Sequence, residues 1–113
     1  MAFRTKRIYD EPEPGDGFRV LVDRLWPRGV RKERAALDLW LKDVAPSTGL
    51  RTWFHANTGA FDQFDERYRA ELRDNPAVDE LRRLGATHKT VTLLYGVRDP
   101  EHNHARILVD FLS

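Results

Sequence analysis

TVTLLYGVRDPEHNHARILVDFL, residues 90–112, reads as a buried strand, a polar turn and an amphipathic helix. Val91, Leu93 and Leu94 form a short apolar run between Lys89 and Gly96. Such a run suits a strand covered on both faces, as in a parallel sheet. Gly96 is expected to let the chain leave the sheet sharply. Asp99 before Pro100 predicts an N-cap and first helical residue, with Asn103 as a rival cap for a later start. Ala105, Leu108, Val109 and Leu112 recur at helical spacing and predict a face packed on the sheet.

In an open α/β sheet, ligands sit beyond the carboxyl ends of the strands, where the free N–H groups of a following helix attract anions. The turn holding Arg98, Asp99, His102, Asn103 and His104 lies there if the sheet is parallel at this strand.

Working outward, residues 18–25 (FRVLVDRL) predict a second central strand. Pro27 cannot donate to a ladder and biases Trp26 toward extended geometry, so that strand should end here. Asp23, Arg24, Trp26 and Arg28 cluster at its carboxyl end. Residues 3–9 alternate weakly among Arg and Lys and predict an edge strand. Residues 10–17 (DEPEPGDG) form a loop.

Residues 30–36 are basic and form a helical turn or an ordered loop, and residues 39–44 form a third strand or a short helix. Ser47 suits an N-cap for a helix turning Leu50, Trp53 and Phe54 inward, which Asn57-Thr58-Gly59 stops. Residues 60–74 are amphipathic, with Phe61, Phe64, Tyr68 and Leu72 on one face. Asn75 and Pro76 open a further helix burying Val78, Leu81 and Leu84, which Gly85 is expected to close. The order β, β, β, α, α, α, β, α predicts one α/β domain over residues 1–113. Its sheet is small, mixed and mostly parallel, with about four strands and helices packed on its faces.

Composition bounds the rest. Of 113 residues, 41% are hydrophobic and 33% charged, a globular balance at a net charge of +1. There is no cysteine, which removes disulfides, thiolate zinc sites and thiol nucleophiles. No apolar run reaches the length of a membrane span, and the first twelve residues lack a signal-peptide core. The expected compartment is the cytoplasm, with no membrane association. Residues 24–34 carry a local balance of +4 and residues 60–82 one of −3, which solvated faces explain.

The run Val22-Asp23-Arg24-Leu25-Trp26-Pro27-Arg28-Gly29 resembles the YeaO-like branch of domain-of-unknown-function family 488. The resemblance continues through Trp40-Leu41-Lys42, Ala45-Pro46-Ser47, Leu50-Arg51, Trp53-Phe54, Leu93-Leu94-Tyr95, Asp99 and His102-Asn103-His104-Ala105. It implies an α/β protein of the bacterial or archaeal cytoplasm and carries over no catalytic residues. Longer members of the wider family have a Cys-His pair where Asn103-His104 stands here, so any thiol chemistry of theirs is in doubt for this chain.

Two strand ends therefore supply the candidate site. Arg24, Arg28 and Arg98 would hold a small phosphate- or carboxylate-bearing ligand, since the planar guanidinium fork suits both groups. Asp23 and Asp99 would orient those arginines, while Trp26 and Asn103 complete the pocket. His102 or His104 would carry a proton if there is acid–base chemistry. The bland alternative is a salt-bridge network that only fixes the loops. A rival is nucleic-acid binding through Trp26 and the cations of residues 24–34, although no helix-turn-helix or RNA-binding signature is visible. The two-residue spacing of His102 and His104 is poor for a metal on one helix face, and the glycines form no phosphate loop, so neither metal nor cofactor is expected. Ser47 lacks the glycine-flanked elbow of a nucleophile. A monomer or a homodimer fits equally.

Overall fold

The longest apolar strand run sits in the middle of the sheet. In a computed structural model, which describes residues 2–113, strand β4 (Val91–Tyr95) is buried at every position. It is flanked by β1 (Phe3–Arg7) and β2 (Phe18–Leu21), with β3 (Leu39–Trp40) outside β2, giving the order β1-β4-β2-β3. All pairings are parallel, with Val20 opposite Leu93 and Leu21 opposite Leu94. Charged β1 takes one edge, as its Arg and Lys content predicts.

Side-chain alternation along the strands separates two cores. Val20, Val91, Leu93 and Tyr95 face a large core completed by α2 (Thr48–Ala56), α3 (Phe61–Arg73), α4 (Ala77–Thr87) and α5 (His104–Leu112). Each fully buried Leu or Val there stabilises the fold by about 1.5–3 kcal/mol. Tyr68 of α3 is buried with its hydroxyl donating to the Val44 carbonyl (2.6 Å), and burial pushes its pKa upward. Ile8, Leu21 and Leu94 face the other side. Among the described residues no long helix covers the sheet there. The cover is the single-turn α1 (Lys32–Ala35), through Ala35, with Trp26, Val30, Leu37 and Trp40.

That second face also holds a buried ion network. Asp16, at the end of a 3-10 turn (Pro14–Asp16), bonds Arg19 and lies 3.1 Å from Lys6 Nζ. Arg19 also donates to the Ala35 carbonyl (2.8 Å) and the Ala36 carbonyl (3.1 Å), tying α1 to β2. Thr92 Oγ1 donates to the Asp16 carbonyl at 2.6 Å, which anchors the turn to β4. Gly17 follows at φ +63°, and a Cβ there would lie 2.3 Å from the Thr90 carbonyl oxygen, so only glycine fits.

Several expected boundaries shift for local reasons. The second strand ends at Leu21 rather than near residue 25. After Val22 N–H bonds the Leu94 carbonyl, the next amide across the ladder, Gly96 N–H, goes to the Asp23 carboxylate instead. The third strand is two residues long and runs into a 3-10 turn, Lys42–Val44. Gly85 does not close its helix, which continues to Thr87. A Cβ at Gly85 would lie 2.6 Å from the Phe3 ring, so close packing explains the glycine. Gly96 has no positive φ. Its missing side chain makes room for Asp23, whose Oδ2 would lie 2.9 Å from a Cβ.

Candidate functional site

Because β2 and β4 are parallel neighbours, their carboxyl ends open side by side. Between them lies a cleft of about 430 Å³, within the range of small-molecule sites. Asp23, Arg24 and Leu25 enter from the β2 exit, and Val97, Arg98, Asp99, His102 and Asn103 from the β4 exit. Helix α2 adds Arg51, Phe54 and His55, α3 adds Phe64, and α5 begins with His104. Seven of the nine residues expected from sequence share this cleft, in agreement with the predicted meeting of strand ends.

Two do not line it. Trp26 turns away: its Nε1–H donates to the Val30 carbonyl (2.7 Å) and its ring packs edge-on against Trp40. Arg28 follows buried Pro27 into an exposed turn, where its carbonyl accepts from the Tyr9 hydroxyl at 2.8 Å. Pro27 thus ends the path of the strand before Arg28 can reach the cleft.

The carboxylates do not orient the arginines as expected, because loop amides and histidines occupy them. Asp23 Oδ2 accepts from Gly96 N–H (2.9 Å), joining the two strand exits. Its Oδ1 lies 3.2 Å from His104 Nε2, which is also 3.0 Å from the Val22 carbonyl. Two acceptors around Nε2 favour the tautomer with its proton there, aimed at Val22. That leaves Asp23 Oδ1 buried without a hydrogen bond, only a near approach to the imidazole.

Asp99 closes the β4–α5 turn. Its Oδ1 accepts from Glu101 N–H (2.9 Å) and His102 N–H (3.1 Å), and its Oδ2 lies 2.9 Å from His102 Nδ1. The Glu101 amide holds the Asp99 carboxyl below its usual pKa; desolvation opposes it, and the His102 amide and ring add to the lowering. His102 is fixed further by its edge-on contact with Phe61, ring centroids 5.1 Å apart. Asn103, not Asp99, is the N-cap of α5. Its Oδ1 accepts from Arg106 N–H (3.0 Å) and its amide donates to the Asp99 carbonyl (2.8 Å). The Asp99 turn takes up the residues in between and moves the helix start to His104.

The three cleft arginines differ. Arg24 donates to the Ala45 carbonyl (3.2 Å) and the Pro46 carbonyl (3.3 Å), and two of its five N–H groups are so engaged. Arg98 is exposed and makes no hydrogen bond or ion pair with another described residue. Arg51 Nε is buried without a partner. Buried side-chain nitrogens are rarely left so in native proteins. Ser47 serves as a cap: its Oγ accepts from Leu50 N–H (3.2 Å) and donates to Glu71 (2.6 Å). Among the described residues no cluster of three or more His, Asp or Glu side chains is arranged to hold a metal.

Sequence reasoning missed Arg51, His55, Phe54 and Phe64 as cleft residues. A signal existed for the first two. They sit four residues apart on one face of α2, which starts beyond the carboxyl end of β3. Phe54 and Phe64 were read as core, and their stacked rings (centroids 4.2 Å apart) do join the core while also lining the cleft.

Residues 2–113 match a family model described as "Inactive DUF488-N3 subclade". The chain is 45% identical to the uncharacterized protein YeaO of Escherichia coli K12, over 99% of this chain and 97% of that one. It is 44% identical to the uncharacterized protein Rv3073c of Mycobacterium tuberculosis H37Rv, over 97% and 92% of the two chains. No solved structure matches. The chain belongs to the DUF488 family.

Proposed function

We propose that this DUF488 chain binds a small phosphate- or carboxylate-bearing ligand in the cleft at the carboxyl ends of β2 and β4. One observation carries the reading: Arg24, Arg51 and Arg98 line one open cavity, and neither cleft carboxylate pairs with any of them. Guanidinium groups left free in a concave site suit an oxyanion, which can take two parallel N–H bonds from one fork. The amino end of α5 opens on the same space and adds its dipole.

His102, held by Asp99, and His104, held by the Val22 carbonyl, are the proton carriers of this reading. Binding without turnover fits the residues better than catalysis. Asn103 carries no thiol, and its side chain is committed to capping α5. The matching family model is itself described as inactive.

Calorimetric titration with inorganic phosphate and with acetate tests this. Saturable binding of at least one anion is expected, weakened at least tenfold in Arg51→Gln/Arg98→Gln with the fold retained. Failure of both anions to bind at low salt would end the proposal.

A second reading places nucleic acid on the loop after β2, where Arg28, Arg31, Lys32 and Arg34 are exposed. Its aromatic partner, Trp26, is turned inward on Trp40, which removes the stacking platform that reading needs.

A further inference from the structure

We infer that the ligand of the cleft is amphiphilic: a single oxyanion carried on an apolar body of about the size of one ring. The inference rests on the anion-site reading above and narrows it. Among the described residues, only three large hydrophobic side chains are exposed, and two of them, Leu25 at 60% and Val97 at 44%, stand at this cleft on opposite strand exits. Each follows a strand whose interior is sealed, so neither is left in water for want of a core.

Deeper in, Phe54 and Phe64 present stacked rings, centroids 4.2 Å apart and planes 13° from parallel. The arginines supply charge beside this apolar wall, not instead of it. A bare phosphate is far smaller than the ligands that clefts of about 430 Å³ usually hold. It would also leave Leu25 and Val97 wet. An apolar group attached to the anion removes both from water, and its affinity gain scales with the area covered.

The chemistry that fits is therefore an aryl or similarly compact apolar phosphate or carboxylate. A polyanion does not fit, because the lining offers three arginines against two aspartates in a largely apolar cavity.

The test compares inorganic phosphate, phenyl phosphate and phenol by calorimetry on the full chain. Phenyl phosphate is expected to bind at least tenfold tighter than inorganic phosphate, about 1.4 kcal/mol, while phenol alone is not retained. Leu25→Ser/Val97→Ser changes two exposed positions and should leave the melting temperature unchanged. It should cut the phenyl preference, read as the ratio of the two phosphate affinities, to within threefold. Equal affinity for the two phosphates, or a preference untouched in the double variant, overturns this inference and leaves the anion site standing. Binding of phenol as tight as that of phenyl phosphate overturns this inference, and failure of both phosphates and of acetate to bind overturns both readings.

Discussion

On the loop-covered face of the sheet, Arg19 donates to Asp16, to Ala35 and to Ala36, while Lys6 bonds the same Asp16 and Glu13. At the carboxyl end of the same strands, Arg51 Nε is buried without a partner and Arg98 stands free at the surface. In the first place each charge has its counterpart and the result is architecture: a turn and a one-turn helix are locked to β2 and β4. In the second the aspartates are taken up by amides and histidines, and the arginines keep donors for something else. Whether a charged side chain has a partner within the fold, rather than its exposure alone, separates scaffold from candidate site in this protein.

Removing the centre of the matched network should have the largest effect. Asp16→Ala leaves buried Arg19 without its carboxylate and Lys6 with Glu13 alone, and breaking a buried pair this way costs about 3–5 kcal/mol. Urea denaturation would measure it, and a change below about 1 kcal/mol would show that the network is not structural.

The same network sets a pH window. Burial opposes the charge on Asp16, but the Glu13 amide, Lys6 and Arg19 outweigh it and lower the pKa. Its stabilisation is present above the unfolded value, about 3.9, and is lost as pH falls through the lower folded value. Burial also opposes the charge on Lys6, but Glu13 and Asp16 outweigh it and raise the pKa. That contribution holds below about 10.4 and is lost as pH rises through the higher folded value. Stability should therefore be flat across neutral pH and fall at both extremes. The Asp16→Asn protein should have a shallower acid limb.

Arg51→Gln/Arg98→Gln sharpens the contrast from the other side. Stability should stay within about 0.5 kcal/mol, because neither residue has a partner to lose. Anion binding should nevertheless fall.

The smallest effect is expected at Arg28→Glu/Arg31→Glu, two exposed positions outside the cleft. Stability and phosphate binding should be unchanged. A salt-dependent mobility shift with single-stranded DNA that disappears in this variant would move function to that loop.

The sheet was legible because apolar runs and a long helical excursion leave few alternatives to parallel strands. Val91 to Tyr95 and the spacing of α5 carried most of that information. The meeting of Asp23 and Arg24 with Arg98 and His102 followed from the same topology. Other features depended on contacts far apart in sequence. No local pattern reveals that Asp23 bonds Gly96 rather than an arginine, or that Trp26 folds onto Trp40. The α5 boundary turned on competition between Asp99 and Asn103, both good caps, which the intervening turn decided. Arg51 and His55 escaped notice because their helix was read for its apolar face.

The central claim is that one set of arginines is free and the other engaged. Nitrogen-15 NMR of the arginine Nε–H groups during a phosphate titration tests it directly. The account predicts saturable shifts at Arg51 and Arg98 with Arg19 unmoved. Shifts spread equally over Arg28, Arg31 and Arg34, or none at Arg51 and Arg98, would contradict it.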